Sequence, residues 1–500
     1  MQPIITTPSV SATCPAYDEM QIKWAIIADL TGGTLRMREA GKTWLAIEPG
    51  ESEAKWKLRR DRSILFNGFN NAVRGLASRP FSKPITMTEP LPARLGDLED
   101  NVNLEGQNLS TWMRSVYEDA LRYGLTHVLV DYPVVPDAGS LDRISEEQRG
   151  ARPYFVHVPA TDLFFWSSSR DANGVRSLDE VRFYQTIEER DGEFGLKSTK
   201  LIRRYTRTTW ETHVQTEDGE WVRRDGGAHS FGRVPLHTLY LDWKTFMQAT
   251  PPLEDLAWLN VAHWQSYSDQ RNILRVMRTA VMFAKCFGDS DSQIGEGRLV
   301  MGPNIVVRAS DPASELMYVE HSGKGLEAGD KDLHDIEERM VQLGLRPFIE
   351  RTNARTATTA GINDTNASTD SLAWTATGSR FVTELCRMAA QWVKLTLPDT
   401  FAAKIHDDYG AGLQSGEDKK LLLEARKARD LTRRTFLNEL KRRSVLPDSL
   451  DIEAELADLE AEESTASIPM NDLSGLQNDQ QNDLNNLQND LQDGMDGTQD

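Results

Sequence analysis

The residues that could do chemistry are carboxylates. Asp407 and Asp408 are adjacent, and Asp97 lies next to Glu99 and Asp100. Oxygen ligands at such spacing can hold Mg²⁺ and ready a water for phosphodiester cleavage. With 76 Asp and Glu in the chain, neighbours of this kind also arise by composition alone, and solvated surface is the commoner state of such pairs. His127 and Asp131 fall on one face of the apolar run Thr126–Pro133 and offer either a general base or a hydrogen-bonded core pair, the second being commoner. Other catalytic punctuation is missing from the sequence. There is no G-x-x-x-x-G-K-[ST] loop for a nucleotide phosphate, no H-E-x-x-H, and no Cys/His set at zinc spacing. Gly295-Glu-Gly297 is a lone glycine pair. Gly412-Leu-Gln-Ser-Gly416 has the wrong spacing for a nucleophile elbow. Catalysis is not expected, and no cofactor or metal is implied.

A different kind of segment runs from Ile349 to Ser371, rich in Thr, Ala, Asn and Ser, with Arg351, Arg355, Asp364 and Asp370 as its charges. The sequence predicts a loop here. A loop of that length between two helices is uncommon unless it is functional or mobile. Facing DNA, two arginines offset by acids would give weak, sequence-independent contact, because each neutralised phosphate slows release. The alternative is an ordinary connector, and composition does not separate the two.

The elements that would position this loop follow from periodicity. Leu253, Leu256, Ala257, Trp264, Tyr267 and Leu274 trace one apolar face along about six turns, opened by Pro251-Pro252. Residues 282–321 are β-like, with runs at 298–301, 305–308 and 316–319. Leu333, Ile336, Met340 and Leu343 predict a helix over 330–345. Its other face carries Asp332, Asp335, Glu337 and Glu338, and Gly344 and Pro347 end it. Phe381, Leu385, Met388, Trp392 and Leu395 predict a helix from about 371 to 397, with Gly378 as a kink or a packing notch.

Upstream, residues 16–80 read as helical. Trp24, Ile27, Leu30 and Leu35 form one stripe. A second stretch from Glu53 runs through the basic residues 55–62 to Leu76. That basic run is read as a solvated face before a phosphate grip. Leu109–Tyr123 is a further helix before the buried strand at Thr126. From Pro153 to Leu241 short strands dominate (154–158, 181–186, 200–208, 210–215, 220–224, 234–241), with hairpin turns expected at Asp191-Gly192, Asp218-Gly219 and Asp225-Gly226. Beyond Asp399 helices are expected, basic over 421–443 and acidic over 451–463, with charge pairing between them.

The charge balance narrows the class. The net charge is −19, but the segment from Leu446 onward holds 15 acids and no Lys or Arg, leaving the body near neutral. Neither part is the basic patch of a tight nucleic-acid binder. The 12 Trp, 16 Phe and 11 Tyr support a folded core. Three scattered cysteines fit a reducing compartment, and no run is long and apolar enough to span a membrane. The N-terminal residues do not read as a secretion signal.

Several segments together resemble portal proteins of tailed double-stranded-DNA bacteriophages. They are Arg59–Asn67 (RRDRSILFN), Tyr123–Pro133 (YGLTHVLVDYP), Arg152–Pro159 (RPYFVHVP), Pro251–Asn260 (PPLEDLAWLN), Leu316–Glu320 (LMYVE) and Thr356–Thr359 (TATT). The resemblance covers about Tyr17 to Arg443 and lies in the order and spacing of the set. It implies an α+β, mainly helical portal fold assembled as a ring, typically of twelve subunits. Carried over, residues 1–15 are an arm, 16–245 the wing, 251–276 and 326–348 the two stem helices, and 277–325 the clip between them. Residues 349–371 become a tunnel loop, 371–397 a long helix, 399–463 a helical crown, and 464–500 an acidic tail, disordered or a barrel extension. The loop residues facing DNA would be Arg351, Asn353, Arg355, Thr356, Thr358, Thr359, Asn363 and Asn366. Asp332, Asp335 and Glu338 would face the channel, and Arg298, Asn304 and Arg308 would serve docking at the clip. Implied partners are further copies of the chain, passing double-stranded DNA, a terminase packaging motor, a neck adaptor, and the major capsid and scaffolding proteins. The implied location is the virion's portal vertex, after assembly in the host cytoplasm. The competing classes are a head–tail adaptor and a metal-dependent nuclease.

Overall fold

The computed structural model describes residues 9–133, 151–278, 281–285, 294–295, 298–299, 311–319, 324–345, 357–407, 416–442, 445–447 and 450–466. The chain divides into two units, Met1–Asp407 and Asp408–Asp500. It is an α+β protein.

The first unit opens with helices α1 (Pro15–Thr31) and α2 (Gly33–Ala40), α3 (Glu53–Arg62) and α4 (Gly68–Ser78). The stripe through Leu35 does not continue from α1. Gly33 adopts a positive φ of 74°, the chain restarts as α2, and Leu35 is left 72% exposed. Nor do α3 and α4 form one helix. Ser63 is extended, and Asn67 caps α4 by accepting from the Asn70 amide, so two short polar side chains compete with helix continuation. The basic run splits accordingly: Lys55 and Lys57 are exposed, Arg60 lies over the Trp56 ring, and Arg59 turns inward.

Helix α5 (Leu109–Tyr123) is capped by Asn108 and closed by left-handed Gly124, where an added Cβ would sit 2.3 Å from the Thr250 carbonyl oxygen. Only glycine turns the chain there into β2 (Leu125–Asp131), every residue of which is buried. Strands β3 (Tyr154–Val158) and β9 (Leu236–Tyr240) flank β2 antiparallel. A second antiparallel sheet has the order β4 (Leu163–Arg170), β5 (Arg176–Asp191), β6 (Gly195–Thr206), β7 (Thr209–Gln215) and β8 (Trp221–Ala228). The turns at Asp191-Gly192 and Asp218-Gly219 are present. Asp225-Gly226 is not a turn: it lies inside β8, beside a register shift opposite Thr212 and His213. Trp210 packs over Gly227, explaining glycine in a strand.

His127 and Asp131 do not meet, since four residues of extended chain set them roughly 13 Å apart. His127 Nδ1 bonds Thr238 Oγ1 at 2.9 Å, and burial pushes its pKa down to about 3, so the ring is neutral. Asp131 instead joins the two sheets. Its Oδ2 accepts from Tyr154 Oη (3.2 Å), Tyr205 Oη (3.2 Å) and Arg203 Nη2 (3.0 Å).

Buried Asp119 of α5 plays the matching part at the other end of β2. Its Oδ2 accepts from Thr126 Oγ1 at 2.7 Å and the Ala160 amide at 3.1 Å, with His157 Nε2 at 3.5 Å. Burial alone would raise its pKa. The hydrogen bonds and the His157 ring outweigh that and hold it below the usual aspartate value. A depressed folded pKa contributes stability above the ordinary value, and that contribution disappears as pH falls through the folded one. The Asp119→Asn variant is therefore expected to lose stability at neutral pH and to show a shallower decline as pH falls below the ordinary aspartate value of about 4, read by urea unfolding across pH; an unchanged slope would refute the assignment.

Downstream come the short pair β10 (Trp243–Thr245) and β11 (Gln248–Ala249), then helix α6 (Glu254–Met277), the paired strands β12 (Val281–Lys285) and β15 (Glu315–Val319), and α7 (Lys324–Met340). A second strand pair, β13 (Ile294–Gly295) with β14 (Arg298–Leu299), lies between β12 and β15 in sequence. Helix α7 passes into a π turn at Val341–Leu345. Helix α8 runs from Ala357 to Trp392. The unit closes with β16 (Ala403–Lys404), which pairs with β1 (Thr86–Met87). Residues 399–407 are thus not the start of a helical crown; they belong to the first unit.

The second unit contains α9 (Gly416–Lys427), α10 (Arg433–Arg442) and α11 (Ile452–Ala466). Arg434 of α10 pairs with Glu453 of α11, and Lys441 Nζ donates to the Leu450 carbonyl at 2.7 Å, so the basic and acidic helices do pair. Residues 467–500, most of the acidic tail, lie outside the described residues.

Candidate functional site: the paired helices and the long helix

Helices α6 and α7 are antiparallel, as their contacts show in order. Gln270 Nε2 donates to Asp330 Oδ1 and to the Leu326 carbonyl, both at 2.9 Å. Ser266 Oγ donates to Asp332 Oδ2 (2.9 Å), and His263 Nε2 lies 3.1 Å from Glu337 Oε1. Further along, Leu256 meets Gly344, where an added Cβ would be 2.8 Å from Leu256 Cδ2. Strands β12 and β15 continue from the neighbouring ends of the two helices and pair with each other from Val281–Val319 to Lys285–Glu315. A helix, a β insert and a returning helix therefore form one hairpin.

The seam of this hairpin is partly polar. Asn260, His263, Ser268 and Gln270 of α6 are all buried. Asn260 accepts from the Phe69 amide and donates to the Phe66 carbonyl, tying α6 to α4. Ser268 bonds Ser63 Oγ at 2.8 Å. At Gly329 a Cβ would fall 2.1 Å from Gln270 Oε1, so α7 approaches closely there. Apolar spacing alone missed this row. Its signal was present in Asn260, His263 and Gln270 at the 3 and 7 spacing of one helix face.

Arg59 anchors the hairpin to α3. Its guanidinium grips Glu51 through Nε and Nη2 (3.0 and 2.8 Å), reaches Asp269 of α6 through Nη1 (3.1 Å), and donates to the Ala46 carbonyl at 2.7 Å.

Helix α8 starts earlier than its apolar spacing indicates. Residues expected to form a loop are helical from Ala357, so Thr358, Thr359, Asn363 and Asn366 lie on the first turns of α8. No proline interrupts 357–392, but residues 357–370 are mostly Thr, Asn, Asp, Ser and Gly, so neither helix propensity nor an apolar stripe marks these turns in the sequence. Arg351, Asn353, Arg355 and Thr356 lie outside the described residues. Further along α8, Thr375, Thr377, Ser379 and Thr383 each donate back to the carbonyl four residues earlier. Ser379 and Thr383 also accept from the amides of Ile405 and Ala403, holding β16 by hydroxyls. Gly378 is a packing notch, with Ile405 Cδ1 3.0 Å from the position of a Cβ and the Tyr117 ring close by.

The acidic residues Asp332, Asp335 and Glu338 are exposed on α7. Asp332 is turned toward Ser266, and Glu338 lies 3.6 Å from His334. Arg298 is on β14, whereas Asn304 and Arg308 lie outside the described residues. Asp407 lies 3.5 Å from Lys404 Nζ, Asp97 lies 3.8 Å from Arg152, and Asp408 is outside the described residues. Among the described residues no three His, Cys, Asp or Glu side chains gather as a metal site, and no helix is long and apolar enough to cross a membrane.

Residues 252–393, which contain both paired helices and all of α8, match a family described as a domain of unknown function (DUF4055). No curated protein matches the chain. Among solved structures, a chain in the virion of a native gene transfer agent particle is 12% identical with a TM-score of 0.38, over 75% of this chain and 89% of that one. A chain in the neck of an empty gene transfer agent particle, computed with C6 symmetry, is 11% identical with a TM-score of 0.37, over 71% and 89%. A chain in the neck of the native particle, computed with C12 symmetry, is 12% identical with a TM-score of 0.36, over 73% and 87%. Likenesses this slight bear on neither function nor assembly.

Proposed function

We propose that this chain is a subunit of a phage portal, a ring at one capsid vertex through which double-stranded DNA is packaged, retained and ejected. The observation that carries the reading is the hairpin of α6, β12, β15 and α7, followed by the 36-residue helix α8. It reproduces, in order, the stem–clip–stem–long-helix succession that the sequence resemblance implies. Under this reading the strands beyond α6 and α7 form the clip, where a packaging motor and later a neck adaptor dock. The first turns of α8 and the residues before it approach the DNA, replacing the loop as the channel-lining element. The chain itself is not an enzyme; ATP hydrolysis belongs to the separate motor. Exposed Asp335 and Glu338 on α7 suit a channel wall, since like charge repels the DNA backbone and lets it slide.

The test is direct. Electron micrographs of the purified protein are expected to show rings with a central opening, together with a solution mass of about twelve chains. A monomer or dimer under all assembly conditions would overturn the reading.

A further inference from the structure

The second unit has helices but almost no interior. Among its described side chains Ile452 is the one apolar group that is buried. Helix α10 touches both α9 and α11, yet the apolar residues along the three are only half-buried: Leu422 on α9, Phe436, Leu437 and Leu440 on α10, and Leu456 and Leu459 on α11. Helices bury such rows against a further element, and a layer left this open does not offset the entropy lost in ordering it.

The sequence beyond α11 supplies a cover of the right kind. Residues 471–481 (NDLSGLQNDQQ) and 482–492 (NDLNNLQNDLQ) are two copies of one eleven-residue unit, identical at eight positions. Eleven residues make close to three turns of helix, so the repeat returns to the same side. At about 100° per residue, Leu473, Leu476, Leu484, Leu487 and Leu491 fall within about 80° of arc, and the stretch holds no other apolar side chain. Ser467-Ile468-Pro469-Met470 separates it from the end of α11. Four residues with a proline make an ordinary helix–helix connection and stop α11 from running on. Charge then selects the place. Helix α11 carries six acids and no base, and the repeat four acids and no base, so these two repel. Residues 416–443, spanning α9 and α10, hold ten Lys and Arg against five Asp and Glu. On α9 exposed Lys420 and Lys427 stand either side of Glu424.

We infer that residues 471–492 pack back over α9 and α10 of their own chain, their leucines against Leu422, Phe436, Leu437 and Leu440, and so complete the core of the second unit. The occupant is the chain's own segment because so short a connector holds it at an effective concentration of about millimolar, above that of any free copy. The inference stands apart from the ring reading and survives or fails without it.

The test uses the full-length protein. Hydrogen exchange at 471–492 is expected to be slower, by about tenfold or more, than in a synthetic peptide of the same residues. Leu484→Asp together with Leu487→Asp is expected to abolish that protection and to speed exchange at Phe436–Leu440 about tenfold, with the first unit unchanged. Free-peptide rates at 471–492 in the unaltered protein would overturn the inference. A double variant whose α10 amides exchange as before would do the same, since the repeat would then lie elsewhere. Carbodiimide coupling of lysines to carboxylates supplies the second measurement, on ¹⁵N-labelled and unlabelled copies mixed in equal amounts before assembly. Lys420 or Lys427 is expected to join aspartates of the repeat within one label only. Mixed-label links in about half of the pairs would mean that a neighbouring copy's repeat covers the face, and the own-chain assignment would be wrong. Links from the repeat to other elements alone would refute the placement on α9 and α10.

Discussion

Asp131→Ala is expected to lower the stability of the first unit by about 3–5 kcal/mol, because it strands a buried guanidinium. Arg203 is almost wholly enclosed, and its carboxylate partner also accepts from two tyrosine hydroxyls. Removing the carboxylate takes an acceptor from four donors, the Tyr132 amide among them, where β2 meets the five-stranded sheet. The loss is read as a fall in the urea midpoint with an unchanged slope. Asp131→Asn, which keeps one acceptor oxygen, should lose less. Replacing both partners, as in Asp131→Ala with Arg203→Leu, should recover much of the loss, since the cost lies in an unpaired charge and not in the absence of the pair. A single-variant loss under about 1 kcal/mol would mean that water reaches Arg203 and that the pair is not a joint.

Arg59→Met is expected to cost about 3 kcal/mol, and Arg59→Lys nearly as much. The fork of Arg59 satisfies Glu51 twice, Asp269 once and a main-chain carbonyl once. An ammonium cannot reproduce that geometry, and its absence leaves the largely enclosed Glu51 carboxylate unpaired. Because Asp269 is on α6, the variant should also loosen the paired helices from α3. Hydrogen exchange of α6 amides should rise around Asp269 before it rises near Leu256, where packing is apolar. Uniform exchange along α6 would show that Arg59 holds α3 alone.

Much of this fold was legible because period and punctuation agreed. The stripe from Leu253 to Leu274 located α6, and the turns at Asp191-Gly192 and Asp218-Gly219 fixed two hairpins. The sequence does not mark strand β4, since Leu163–Arg170 passes from Leu-Phe-Phe-Trp into three serines and an arginine, with no alternation of apolar and polar residues. Asp225-Gly226 misled because a bulge and a turn draw on the same residues. The first turns of α8 were hidden for a different reason. Periodicity reports which side of a helix is buried, and residues 357–370 carry no apolar stripe to report. The polar row on α6 escaped notice because Asn260, His263 and Gln270 occupy positions that an apolar pattern treats as gaps.

That row has a mechanical consequence. Apolar contacts have little direction, so two helices joined by them alone can creep past one another at small cost. Hydrogen bonds do not stretch in that way. A shift of α7 along α6 by one turn, about 5.4 Å, would carry Glu337 away from His263, Asp332 away from Ser266 and Asp330 away from Gln270 together. The two helices are keyed, like a shaft in its slot. Thrust applied at the strand end is passed along their length as a rigid push, with the π turn at Val341–Leu345 as the first place able to yield.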